Sequence, residues 1–229
     1  MIETQTETPL PSVIESQQET KSTVILFHGL GQTSEALMNF GQKVHESFPN
    51  TKVILPNAPM REMGYKPGVK RTAWFNVFGF TLGTKEDLEG IKQAGEKAAK
   101  IIEEEKKQDR IVIIGGISQG GVLSLQTALR SCKSKIDGVL ALSCYIPLIS
   151  TLGSEFSEIN KRTPILFCHG DEDDVIPLSW AEGSHNVLSE KKFNSKLNIY
   201  KGLKHNVCDE EMKDIMIWFG GILTKKDTD

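Results

Sequence analysis

The chain predicts an α/β fold: a mainly parallel sheet covered by helices on both faces. Two observations carry that expectation. Short apolar, β-branched runs recur along the sequence, and longer stretches with apolar residues at helical spacing lie between them. The runs are apolar throughout rather than alternating, which is the pattern of strands buried on both faces.

Six runs read as strands: residues 23–28 (TVILFH), 52–55 (KVIL), 111–114 (IVII), 138–142 (GVLAL), 165–168 (ILFC) and the weaker 197–200 (LNIY). The first is followed by Gly29, the second is stopped by Pro56, and the third ends in Gly115-Gly116. A helix is predicted after Thr84 and Asp87, whose spacing resembles a capping box. In it Leu88, Ile91, Ala94, Ala98, Ile101 and Ile102 form one stripe. A further helical run covers 121–130. Trp180, Ser184, Val187 and Leu188 give another stripe, and Met212, Ile215, Met216 and Phe219 give the last. Residues 57–83 fit neither pattern. They carry Trp74, Phe75, Phe78 and Phe80 and are too long for a plain connection, which predicts a functional loop.

The 229 residues suit one domain over 22–229, preceded by a polar, flexible arm over 1–21. With 38% hydrophobic residues, a net charge of −3 and no basic stripe, the chain is not expected to bind nucleic acid. No apolar run approaches ~20 residues, so no span is expected and membrane contact is at most peripheral. The polar N-terminus is not a secretory signal, and four scattered cysteines without CxxC spacing predict free thiols in a cytoplasmic protein.

Gly116-Ile117-Ser118-Gln119-Gly120 matches G-x-S-x-G. It follows the strand IVII and opens a helix, the context of a nucleophile elbow in an α/β-hydrolase fold. A sharp strand-to-helix turn exposes the serine oxygen at the sheet edge, beside a helix N-terminus that favours negative charge. Ser118 is the expected nucleophile. A hydroxyl needs a base, and in this fold the order is serine, acid, histidine. His185 lies within a helix and reads as a surface residue. His205 follows the last strand and is the expected base. The acid must come from the loop after ILFC, where Asp171, Glu172, Asp173 and Asp174 are not distinguished by position alone. That cluster lacks calcium-loop spacing, so no metal and no cofactor are expected. The oxyanion donors are expected at the amides of Gln119, next to the nucleophile, and Leu30, in His28-Gly29-Leu30-Gly31 after the first strand. His28 and His169 read as structural hydrogen-bonding groups.

With these motifs goes a wider set: Thr8-Pro9-Leu10-Pro11, Pro56-Asn57-Ala58-Pro59, Trp74-Phe75-Asn76 and Ala141-Leu142-Ser143-Cys144. The combination, from about residue 8 to 219, resembles the acyl-protein thioesterase and lysophospholipase family, which includes broad carboxylesterases. The resemblance implies that the acid is Asp173, through the family pattern H-G-x-x-D at His169, Gly170 and Asp173. It also implies Leu30 and Gln119 as oxyanion donors, and substrates that are S-acylated proteins or lipid acyl esters. The chain departs from the family at Gln32 and Asn76, where Asp is usual, and at Asp174, where Pro is usual.

A serine hydrolase of acyl thioesters or esters is the resulting expectation, with protein depalmitoylation or lysophospholipid hydrolysis as its activity. A small-ester carboxylesterase and a non-catalytic binding protein are the alternatives. An acyl chain must leave water at roughly 0.8 kcal/mol per methylene. The groove that takes it is expected at Trp74, Phe75 or Phe78, with Val175 and Ile176.

Overall fold

A computed structural model describes residues 8–81, 83–153 and 156–224. Its central sheet has seven strands in the order β1-β3-β2-β6-β7-β8-β9. These are β1 (Ser12–Ile14), β2 (Ser22–Phe27), β3 (Thr51–Leu55), β6 (Ile111–Ile117), β7 (Gly138–Leu142), β8 (Ile165–Gly170) and β9 (Ser195–Tyr200). All neighbours are parallel except β1, which runs antiparallel to β3. The helices are α1 (Met38–Ser47), α2 (Leu88–Lys106), α3 (Gln119–Gln126), the single turn α4 (Ile149–Leu152), α5 (Leu178–Glu190) and α6 (Asp209–Leu223).

The period-two alternation of strand side chains divides the core into two layers. On one face Ile25, Phe27, Ile114, Ala141 and Phe167 pack with Ile91, Ala98 and Ile102 of α2, Leu123 of α3 and Leu188 of α5. On the other, Val24, Leu26, Ile113, Leu140 and Leu166 pack with Val44 of α1 and with Ile215 and Phe219 of α6. Burying one such aliphatic or aromatic side chain contributes roughly 1.5–3 kcal/mol relative to exposure. Every residue of β2 and β7 is buried, which is why neither reads as amphipathic.

Four expectations are corrected. Residues 8–21 are not all loose arm: β1 pairs Val13 with Ile54 and Ile14 with Val53, covering an edge of the sheet that would otherwise leave backbone groups unpaired. Residues 1–7 lie outside the described residues. Helix α1, which the sequence reading passed over, buries Phe40 and Val44. Thr84 does not cap α2; Asp87 is itself the cap, accepting from the Gly90 amide at 3.1 Å, while Thr84 bonds to Thr81. The long connection after β3 holds a two-stranded hairpin, β4 (Met60–Glu62) with β5 (Lys70–Thr72).

The four cysteines are free thiols. Among the described residues no helix is long and apolar enough to cross a membrane.

Candidate active site

Because β2, β6, β8 and β9 are parallel, their carboxyl ends share one edge of the sheet, and the predicted residues gather there. Ser118 stands between β6 and α3 with φ 55° and ψ −121°, a backbone region that a side chain enters only under strain. The turn is held by its amide, which donates to Leu142 O at 2.9 Å, and by its carbonyl, which accepts from Val122 at 3.0 Å. Gly120 cannot be larger, since a Cβ there would lie 1.9 Å from Phe27 O. That same close approach presses the loop after β2 against the elbow. The Ser118 hydroxyl has no hydrogen-bond partner among the described residues.

The loop after β8 supplies Asp173, whose side chain is wholly buried. Its Oδ1 accepts from the amides of Val175 at 2.9 Å and Ile176 at 2.8 Å. Its Oδ2 accepts from His205 Nδ1 at 2.7 Å. An ionised carboxylate can only accept, so Nδ1 of His205 carries a proton, and in the neutral imidazole the lone pair is on Nε2. The loops after β8 and β9 are bound together: Glu172 donates to Leu203 O at 3.1 Å, and Asp171 takes the Gly202 amide at 2.6 Å. Gly170 permits this contact, because a Cβ there would meet Leu203 O at 1.9 Å. Asp171, Glu172 and Asp174 are exposed, so geometry separates Asp173 from its neighbours where position in the sequence did not.

The amides of Leu30 and Gln119 have no acceptor among the described residues. Gln119 heads α3, where the first amides lack intrahelical partners. Its side chain does something the sequence reading missed: Oε1 accepts from the Trp74 amide and Nε2 donates to Phe75 O, both at 2.9 Å. A glutamine beside a nucleophile motif gives no signal of a partner 45 residues earlier. His28 and His169 are hydrogen-bonding struts. His28 donates from Nδ1 to Gly29 O at 2.8 Å and accepts the Ala58 amide on Nε2 at 3.1 Å. His169 donates from Nε2 to Ile176 O at 2.8 Å. Burial lowers the pKa of both, so both stay neutral. His185 is half-buried, its Nδ1 3.0 Å from Ser195 Oγ.

The expected groove residues divide. Trp74 and Phe75 are buried in the core; Trp74 stands edge-on to Phe27 and donates from its indole to His28 O at 2.8 Å. Ile176 is buried too, whereas Phe78 and Val175 are each 42% exposed. The departures at Gln32 and Asn76 keep an acceptor oxygen where Asp would offer one: Gln32 takes the Gly29 amide at 2.9 Å and Asn76 the Gly64 amide at 2.8 Å. No group of three metal-ligating side chains occurs among the described residues.

The family model for phospholipase/carboxylesterase matches residues 8–219. The chain belongs to this family. Among curated relatives, acyl-protein thioesterase 1 of Neurospora crassa is 32% identical over 219 residues, covering 90% of this chain and 88% of that protein. Acyl-protein thioesterase 1 homolog 1 of Dictyostelium discoideum is 30% identical over 214 residues, covering 91% and 93%. The crystal structure of Zea mays acyl-protein thioesterase 2 superposes with a TM-score of 0.82 at 25% identity, covering 93% of this chain and 98% of that one. The α/β-hydrolase fold and the thioesterase or esterase class of hydrolase follow from these likenesses.

Proposed function

We propose that this family member is a serine thioesterase acting on S-acylated proteins, with Ser118, His205 and Asp173 as its triad. The observation that carries the reading is the Asp173–His205 bond of 2.7 Å at the sheet edge that also presents the strained Ser118. Ser118 Oγ attacks the acyl carbon as His205 Nε2 takes its proton. The carbonyl oxygen becomes an oxyanion, met by the amides of Leu30 and Gln119. Collapse breaks the carbon–sulfur bond, and the thiolate leaves with the proton from His205. Water, deprotonated by the same nitrogen, then cleaves the acyl-enzyme, releasing a carboxylic acid and free Ser118. The chemistry needs no cofactor. We place the protein in the cytoplasm, with peripheral membrane contact where its substrates lie.

Phe78 and Val175, the exposed members of the expected groove, are the side chains proposed to meet the acyl chain, with Ile176 behind them. The burial of Trp74 and Phe75 favours a second reading, a carboxylesterase of small esters, because fewer rings remain for a long chain. Turnover of a palmitoylated peptide, a lysophospholipid and an acetyl ester, measured side by side, separates the two. The expected result is preference for the palmitoyl thioester, lost more than tenfold in Phe78→Ala while acetyl-ester turnover holds. Ser118→Ala should abolish all three and also fluorophosphonate labelling. Substantial residual turnover in pure mutant protein would sink the triad.

A further inference from the structure

A cavity of about 430 Å³ has Trp74 among its lining residues, while none of the triad residues lines it. Its floor is apolar: Phe27 and Ile54 from the sheet, Leu123 from α3, and Ala98 and Ile101 from α2. The N-terminal stretch through Pro9, Pro11 and Val13 roofs it. That roof is tied down by Asn57, which donates to Leu10 O at 2.7 Å. Neither Ser118, Leu30, Gln119, Asp173 nor His205 lines it, and neither do Phe78 and Val175, so it is not the groove proposed for the substrate chain.

The charges around it are one-sided. Among the described residues Lys52, Arg61 and Lys97 line the cavity and no Asp or Glu does, although the chain as a whole carries a net charge of −3. Lys52 is already neutralised by Glu105 at 3.0 Å. Lys97 has no ionic partner among the described residues, and Arg61 engages only through Nε, which donates to Ala73 O at 3.0 Å. An apolar chamber with unmatched cations selects an amphiphile with one apolar chain and an anionic head. A neutral lipid leaves the cations unused, and a cationic one is repelled.

We propose that this cavity is a second, non-catalytic site that binds a free fatty carboxylate, its chain beneath the Pro9–Pro11 roof and its head at Lys97 and Arg61. Enclosing the chain removes its methylenes from water, while the exposed head contributes selectivity more than affinity.

The test uses full-length Ser118→Ala protein, so that binding is measured without turnover, and sodium dodecanoate below its micelle concentration as the probe. Calorimetry should show one dodecanoate per chain. Lys97→Glu should weaken it about fivefold, on the scale of one exposed ion pair reversed. Lys100→Glu, the same charge change one turn along α2, should not. Ala98→Phe should abolish binding by filling the chamber; since it alters the core, its fold is checked by circular dichroism, and Lys97→Glu carries the test should it fail to fold. Dodecanol and dodecyltrimethylammonium should bind at least tenfold more weakly. Equal binding of dodecanol, or indifference to Lys97→Glu, overturns the assignment. In wild-type protein, a long-chain fluorophosphonate on Ser118 should leave dodecanoate binding intact. Loss of binding there places the chain in the substrate groove and overturns the second site. Failure of Ser118 to label, read by mass, bears on the triad alone.

Discussion

Asp173 fills both of its oxygens: two amides on one, His205 on the other, with His169 Nε2 also within 3.3 Å of the second. A buried carboxylate survives only with such a set of donors. Asp174, the next residue, points to solvent. Asp173→Asn therefore loses the partner of the imidazolium and the correct tautomer, and kcat should fall by about 10⁴. Asp174→Asn should stay within about twofold, as an exposed substitution. Steady-state kinetics on one ester decides, and a larger loss for Asp174→Asn would reverse the assignment. This distinction was not legible from the residues themselves, because four neighbouring carboxylates share one loop; a family pattern was needed to choose. The reason is in the fold: Asp173 is selected by a tight turn that aims its oxygens at the Val175 and Ile176 amides, and turn geometry is not written in composition. Ser118 and His205 were legible because order along the chain and strand context constrain them. The Gln119 side-chain clamp on Trp74 and Phe75 was not, since it joins segments distant in sequence.

At the scale of elements, legibility followed the strength of the local pattern. The strands β2, β6, β7 and β8 are apolar runs, and α2 has a long stripe, so each announces itself. Helix α1 does not: its buried face is only Phe40, Gly41 and Val44. Strands β1, β4 and β5 are three residues each, too short for a period to show. Helix α6 carries a further consequence. Its capping box joins Cys208 to Glu211, whose carboxyl is fully buried with Oε1 unpartnered. Burial pushes the Glu211 pKa up to about 7, with the Cys208 amide opposing. The folded state then holds this proton up to near neutrality, while the unfolded chain releases it near 4.5. Between those values the native state binds more protons, so this group's contribution to stability falls as pH rises. Glu211→Gln keeps an acceptor for the Cys208 amide and removes the titration. Its melting temperature should drop less than that of wild type between pH 5 and pH 8. Parallel drops in thermal scans would show that Glu211 is not the group responsible.

For the molecule as a whole, the sheet order decides what can be removed. Among the described residues, strand β1 is first in sequence yet sits on an outer edge, paired only with β3. Deleting residues 1–14 uncovers that edge and one wall of the apolar cavity. The melting temperature should fall by roughly 3–10 °C, the effect of losing a few kcal/mol in a domain of this size. Thermal unfolding followed by near-ultraviolet circular dichroism measures it, and an unchanged midpoint would mean that β1 adds nothing. The far edge has the opposite character. There β9 leads into the loop that holds His205, the last contributor to a constellation that begins at Leu30 and gains Ser118 midway. The chain is synthesised from its N-terminus, so a growing polypeptide acquires Ser118 long before His205, the base proposed to activate it. A fragment ending between Asp173 and His205 would hold the proposed nucleophile and acid but not the proposed base. On the proposed mechanism, reactivity is therefore acquired only once the chain has been made past His205.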